Sequence, residues 1–443
     1  MKKTISLLVS GLGLIAVAAT ANAADLMSVY RDAAGYDAQF AAARASLDAG
    51  REKLPQGRSG LLPVIGVGVN TTWNDTEYTV HSSPPFTDKA KYNSNGWTAS
   101  LTQPLFRWQN WAAYKQGELA VAIAEAQFAA AQQDLIVRSA QAYFDVLLAQ
   151  ETAATAVAQK EAITQQLESA KRNFEVGTST ITDTHEAQAR YDLAVATELA
   201  AQNDLTVKRQ VLQVLIGKEP EALKALQPGA QINRPQPDDM AKWAETAVSG
   251  NLSVAQAQAA VEIASQEVGK QRAGHLPTLD LVATYGKSSA GFSSITGTGI
   301  DTKGSTVGLQ LAVPIFAGGV VMSRDREAVA LREKALSDLE NTRRQASLGA
   351  RQAYLGVTSG LSQVKAYEAA LASSKLAVES NKVGYDVGVR INIDVLNAEG
   401  QLFDTRQKLA KARFDTLTAQ LKLKQAAGNL TEDDLAAINA LLE

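Results

Sequence analysis

Cysteine is absent from all 443 residues, which excludes disulfides, thiolate metal sites and attachment through a lipid-modified N-terminal cysteine. Histidine is nearly as scarce: His81, His185 and His275 lie far apart and share no metal-ligand spacing. Each reads as a satisfied surface side chain, so no metal or other cofactor is expected. Neither sign of charge dominates, with 43 basic against 46 acidic residues, and nothing calls for nucleic acid as a partner. Beyond the N-terminus no run of about 18 apolar residues occurs, so no membrane-spanning helix is expected. A chain that crosses a membrane without one must use β-strands. Catalytic signatures are missing too. No nucleophile–base pair stands out, and Gly66-Val67-Gly68 lies in a strand that no helix directly follows, so it is no phosphate cradle. An enzyme is not expected.

What is present begins with an export signal over 1–23. Lys2 and Lys3 precede a mostly apolar stretch from Ile5 to Ala19, and Ala21-Asn22-Ala23 supplies the small residues of a cleavage site. The mature chain is expected to start at Ala24, with 41 basic against 46 acidic residues and a net charge of −5.

The rest says one thing twice. AYFDVLL at 142–148 has a counterpart in AYLGVTS at 353–359, with the tyrosines 211 residues apart. EVGTSTITD at 175–183 and DVGVRINID at 386–394 share that offset of 211, and TQPLF (102–106) and AVPIF (312–316) place their prolines 210 apart. SGLLPVIGVGV at 59–69 resembles AGHLPTLDLVA at 273–283. Two structural units are therefore expected. The first spans 24–217, with strands at about 61–74 and 96–105 and long helices at about 108–175 and 181–216. The second spans 241–430, with strands at about 276–287 and 304–314 and helices at about 319–385 and 391–427. A proline-rich connector, 218–240, separates them, and a short segment, 431–443, follows.

The strands alternate with a period of two, giving one oily and one wet face. Val307, Leu309, Leu311 and Val313 alternate with polar or small residues, as do Leu279, Leu281, Ala283 and Tyr285; Trp97, Ala99 and Leu101; and Ile65, Val67 and Val69. Their lengths suit tilted membrane strands of about 9–11 residues. Trp97, Phe106, Trp108 and Trp111 cluster around the second strand and its exit, as an interfacial girdle would. Four strands cannot close a membrane barrel, and open edges in lipid cost several kcal/mol per unpaired group. Sister copies must share the barrel. Two copies would give an eight-stranded barrel filled by its own side chains, so three or more are favoured.

The long helices would each reach about 100 Å. Their apolar positions follow a coiled-coil stripe, Val364, Tyr367, Leu371, Val378 and Tyr385, mirrored by Ala153, Ala156, Ile163, Leu167 and Phe174. Each helix pair reverses at a glycine, Gly177 in one hairpin tip and Gly388 in the other.

HLPTLDL (275–281), VPIFAGG (313–319), GYDVGVRINIDVLNA (384–398) and VGTSTITD (176–183) carry the chain's resemblance to the TolC family of outer-membrane factors, along nearly the whole mature length. The resemblance implies a mainly α fold with a membrane β-barrel: a homotrimer whose twelve strands continue into a twelve-helix periplasmic tunnel. It implies recruitment by a periplasmic adaptor to an inner-membrane ABC, RND or MFS transporter, for type I protein secretion or multidrug efflux. The family's periplasmic end is a gate, and the matching residues are Asp394 for an acidic ring, Arg390 and Tyr385 for polar links, and Thr182 and Asp183 on the facing hairpin. Asn397 stands where the family has a second acidic ring residue, and the family's extended C-terminal tail is expected to be missing after Glu443. A single carboxylate ring should still favour cations, more weakly than two. A periplasmic adaptor or coiled-coil scaffold is the competing reading, and a secreted hydrolase a further one. The four alternating strands argue against the first, the missing catalytic pair against the second.

Overall fold

The computed structural model describes residues 23–81, 84–227, 229–293 and 297–443. Residues 1–22, nearly all of the expected export signal, lie outside the described residues, as does Pro228 of the connector. Three helices come first: α1 (Leu26–Tyr36), α2 (Ala38–Arg51) and α3 (Lys53–Ser59). Asp37 both ends α1 and starts α2, its carboxylate accepting from the Phe40 N–H at 2.8 Å. Strands β1 (Val64–Val80) and β2 (Phe86–Phe106) follow, then α4 (Trp108–Glu175) and α5 (Ile181–Ile216). Beyond the connector come α6 (Met240–Gly250), α7 (Leu252–Arg272), a short 3-10 turn (Ala273–His275), β3 (Thr278–Ala290) and β4 (Ile300–Ala312). The chain ends with α8 (Val320–Asp386), α9 (Asn392–Ala427) and α10 (Glu432–Asn439). It is mainly helical, with one small antiparallel sheet.

Helices α4 and α8 contain 68 and 67 residues, about 100 Å each at 1.5 Å per residue. Each is folded against its successor, α5 or α9, and α7 packs between α4 and α8. The principal apolar cluster lies at the middle of α4 and the C-terminal ends of α5 and α9, where these meet α1 and α10. Leu26, Tyr143, Phe144, Leu212, Leu417 and Leu435 are almost wholly buried there, and Phe144 stacks on Phe414 at 5.5 Å. Ala24, the C-terminal Glu443 and the connector are pinned beside this cluster. The Ala24 N–H donates to the Ala222 carbonyl at 2.7 Å, Ala225 and Glu443 exchange backbone bonds, and the Tyr143 hydroxyl donates to the Lys224 carbonyl at 2.8 Å. Unpaired backbone groups in this loop-rich waist are thereby satisfied.

The sheet order is β1-β2-β3-β4, every neighbour antiparallel. Pro104 lies in β2, which is paired on both sides, and it cannot donate to a ladder. The register shifts between Pro104 and Phe106 to absorb it. Just past this bulge Arg107 makes a two-pronged pair with Asp280 of β3, at 2.8 and 2.5 Å, and Asp280 is only 5% exposed. This fork fixes where β2 gives way to α4.

The alternating apolar stretch near Ile65 and Val67 suggested a strand ending near 74, with its neighbour starting near 96. The β1–β2 ladder instead continues to Val80 and Phe86. The extra ribbon is polar on one face and mixed on the other, where Tyr78 and Tyr92 pack on Phe292 among Thr76 and Asp88, so hydrophobic periodicity does not reveal it. Cross-strand pairs hold it: Lys91 with Asp75 at 3.1 Å and Lys89 with Glu77 at 2.9 Å.

Candidate functional site

Two regions carry functional geometry, one at each end of the long helices. In the sheet, partners lying directly opposite share a face. Ile65, Leu101, Ala283 and Val307 form one row, and Val67, Ala99 and Tyr285 continue the next. Most of the apolar positions therefore lie on one side, with Val64 and Val282 the exceptions near the helical end. The other side carries Gly66, Ser100, Thr284 and Thr306 in one row and Gly68, Thr98, Gly286 and Gly304 in another, with the Thr284 and Thr306 hydroxyls 2.6 Å apart.

Among the described residues no helix packs across either face beyond an isolated contact. Ile65, Val67, Val69, Val307, Leu309 and Leu311 are between 63% and 81% exposed. Removing such a side chain from water is worth about 1.5–3 kcal/mol, so an apolar face left in water would be a heavy loss. The outer edges of β1 and β4 have no strand partner among the described residues. A sheet with an oily face, a small and polar face and two open edges suits a lipid-facing, water-lined wall that needs further strands to close it.

The four aromatic residues singled out from the sequence fall at two levels. Trp97 stands at the upper end of the apolar face, edge-on to Tyr285 at 5.5 Å. Phe106 ends β2, Trp108 opens α4, and Trp111 packs one turn on against Tyr114 at 5.6 Å. The nine positions from Trp97 to Phe106 span about 30 Å of strand at 3.3 Å each. Tilted by about 45°, this amounts to roughly 20 Å, close to the 25 Å band that aromatic girdles flank. Trp73, 79% exposed on the apolar face of β1, and Tyr285 join the upper level. Both were open to sequence reading as outward positions of strands.

At the opposite end, α4 and α8 stop in the same way. Gly177 and Gly388 both have φ 79°, the left-handed region, and both N–H groups bond back to the preceding turn, at 3.0 Å to Phe174 and Tyr385. A side chain at either glycine would be strained. Thr180 then opens α5, with its hydroxyl and the Asp183 carboxylate each capping the other's backbone N–H. Asp183 is thus engaged within its own hairpin, and Thr182 beside it is exposed.

The remaining tip residues lie close together but not in one network. Arg390 reaches the Asp394 carboxylate at 3.6 Å, one turn along α9. The Tyr385 hydroxyl accepts from Asn173 of α4 at 2.9 Å, and Asn397 accepts from Arg190 of α5 at 3.0 Å. These two bonds join the α4–α5 hairpin to the α8–α9 hairpin within one chain. Leu396 inserts between them among Ile163, Leu167 and Ala187. Two features had no signal in the sequence. Glu399, 3% exposed, pairs with Lys382 at 2.7 Å and leaves its second oxygen unbonded, and Asn392, 4% exposed, leaves both side-chain polar atoms unbonded. Among the described residues no group of His, Cys, Asp or Glu could hold a metal ion.

The comparisons with known proteins agree with this geometry. The chain matches the family described as Outer membrane efflux protein over residues 29–218 and 243–429. It is similar to Outer membrane protein TolC of Escherichia coli K12, 34% identical over 454 residues, covering 100% of this chain and 90% of that protein. It is likewise 34% identical to Alkaline protease secretion protein AprF of Pseudomonas aeruginosa, over 94% of this chain and 86% of that one. In fold it is similar to the outer membrane protein VceC from Vibrio cholerae, with a TM-score of 0.77 at 19% identity, covering 91% of this chain and 96% of that one. An uncovered membrane sheet at one end and paired helical tips at the other are thus accounted for together: this chain belongs to the outer membrane efflux protein family, and is an outer-membrane channel protein with its helices on the periplasmic side.

Proposed function

We propose that three copies of this chain form one passive exit duct, a twelve-stranded barrel in the outer membrane continuous with a twelve-helix tunnel below it. The observation that carries the proposal is the uncovered sheet, with its single oily face and two unpartnered edges. One copy cannot satisfy those edges in lipid. The helices support the same ring. Leu193, Leu199 and Val214 of α5 are 61%, 62% and 77% exposed, and Leu348, Leu355 and Leu376 of α8 are 52%, 55% and 64% exposed. A neighbouring copy on each side would cover these stripes. The two units, offset by 211 residues in sequence, would then alternate around the tube.

Substrates would enter from a tripartite export system, handed over by an inner-membrane transporter of the ABC, RND or MFS class through a periplasmic adaptor. Similarity to an alkaline protease secretion protein and to TolC supports type I secretion and efflux as the work of the duct. The helical tips would form its gate. Asp394 provides the carboxylate ring, Asn397 and Tyr385 accept the bonds that tie the hairpins, and Arg390 holds Asp394. Thr182 and Asp183 shape the facing hairpin, around the fixed turns at Gly177 and Gly388. Trp97, Phe106, Trp108 and Trp111 would seat the barrel between the two membrane interfaces. Light scattering on detergent-extracted protein tests the assembly, and a protein mass of about three chains is expected. A monodisperse monomer, soluble without detergent, would overturn it.

A further inference from the structure

The open edges carry enough pattern to say how one copy meets the next. We infer that β4 of one copy pairs with β1 of its neighbour in a single register, with Val307 opposite the partner's Thr71 and Lys303 opposite the partner's Asp75. The inference rests on the closed barrel proposed above and adds what that proposal leaves open.

Three observations fix the register. The first is the facing of side chains. Odd-numbered positions lie on the apolar side in β1 and β4 alike. Tracing partners from Ile65 through Leu101, Ala283 and Val307 onto the next copy must therefore arrive at an odd residue of β1, an even step from where it began.

The second is the slant of the apolar face. From the row of Ile65 and Val307, the apolar positions of β1 run away from the helices, to Val69 and Trp73. Those of β4 run toward the helices from the same row, through Leu309 to Leu311. A membrane band is level, so the strands must be tilted across it. Spread over the four strands of each copy, steps of roughly four, six or eight residues tilt the strands by about 35°, 46° or 54°, from a rise of about 3.3 Å and a spacing of about 4.8 Å. The strong slant disfavours the smallest step, and membrane barrels tilt by about 35–45°, which disfavours the largest. The middle step brings Ile65 round to the partner's Thr71. It also sets Leu309 against the partner's Val69 and Leu311 against the partner's Val67, so oily side chains meet along the seam.

The third is charge. Lys303 and Lys287 lie directly opposite each other on the lipid-facing side. Asp301 pairs with Lys287 at 3.0 Å, whereas among the described residues Lys303 has only the Tyr285 ring, 5.9 Å away, and no ion pair. The middle step supplies the missing carboxylate from the partner's Asp75. The smallest step would place the partner's Trp73 there and the largest the partner's Glu77, so charge disfavours the smallest step and the strand tilt the largest.

Cysteine pairs test the register without background, because the chain has no cysteine of its own. Val307→Cys is combined in turn with Val69→Cys, Thr71→Cys or Trp73→Cys in the full-length protein in outer membranes. Oxidation is followed on non-reducing gels. Within one copy the two edges lie three strand spacings apart, about 14 Å, beyond the roughly 7 Å limit for a disulfide. Any bond formed therefore joins copies. The pair with Thr71→Cys should cross-link fastest, by on the order of tenfold, into a covalent trimer. Leu309→Cys with Val69→Cys should report the same register independently. Faster cross-linking of Val307→Cys with Val69→Cys or with Trp73→Cys overturns the register and leaves the closed barrel standing. No cross-link in any pair, with a monomer on the gel, overturns both.

Discussion

At the scale of single residues, the tip is held by a few polar bonds that a long search along the sequence would not connect. Asn173 and Tyr385 are 212 positions apart and Arg190 and Asn397 are 207 apart, yet each pair forms one hydrogen bond near 3 Å. Exposed polar links of this kind are worth about 1 kcal/mol each, weak enough for a docking partner to release. Replacing Arg390 by Ser and Tyr385 by Phe should raise single-channel conductance several-fold in planar bilayers. Unchanged conductance would take the gate away from these residues. Glu399 behaves differently. Its carboxylate is almost fully buried against Lys382, whose side chain is 49% exposed. Lys382→Met would strand a buried charge, at a cost of about 1–3 kcal/mol given the half-exposed partner. Amide exchange along the tip should quicken in that variant. Adding Glu399→Leu should bring it back toward the parent rate.

At the scale of elements, Asp37 is the joint on which α1 and α2 bend. Burial works against its charge, but hydrogen bonds from Arg138, at 2.5 Å, and from the Phe40 N–H outweigh it and hold the carboxyl below its usual range. A carboxyl with a depressed folded value stabilises above its unfolded value of about 3.9 and loses that contribution as pH falls through the folded value. Asp37→Asn should therefore lower the melting temperature at pH 7, and the difference from the parent should shrink below about pH 4. Asp37→Ala also loses the cap, for roughly 2–3 kcal/mol in all.

The elements differ in how plainly the sequence declares them. Strand segments around Ile65, Trp97, Leu281 and Leu309 advertise an inside and an outside, so their oily faces can be read directly. The long helices are legible from their stripes and from Gly177 and Gly388, because a left-handed stop has few substitutes. The ribbon beyond Asn74 is silent, since Asp75, Glu77, Lys89 and Lys91 gain stability from partners across the ladder. The candidate gate is half legible. Its residue types follow from resemblance, but Asn173 and Arg190 as partners depend on how two distant hairpins pack.

At the scale of the whole molecule, a transport path follows from unsatisfied surface. The waist is complete in one chain: Ala24 and Glu443 are each bonded to the connector, and Tyr143 closes the loop. The sheet and the outer stripes of α5 and α8 are incomplete in the same chain. In the proposed assembly, folding of the waist could precede association, while the sheet would find strand partners only when its neighbours arrive. In the proposed export system the choice of cargo would fall to the transporter that delivers it.

The unequal hairpins bear on the side of the tube that faces the outside. β2 pairs with β3 only as far as Ser94, whereas β1 and β2 continue together to Val80 and Phe86. The β1–β2 ladder runs about eight residues past the last β2–β3 pair, some 25 Å of strand, with Phe292 of the β3–β4 loop packed partway up it against Tyr92 and Tyr78. Around a closed ring the rim would then be crenellated, three high merlons alternating with three low notches. Material leaving the mouth could spill sideways through the notches, and any ligand that grips the rim from outside must fit a threefold outline.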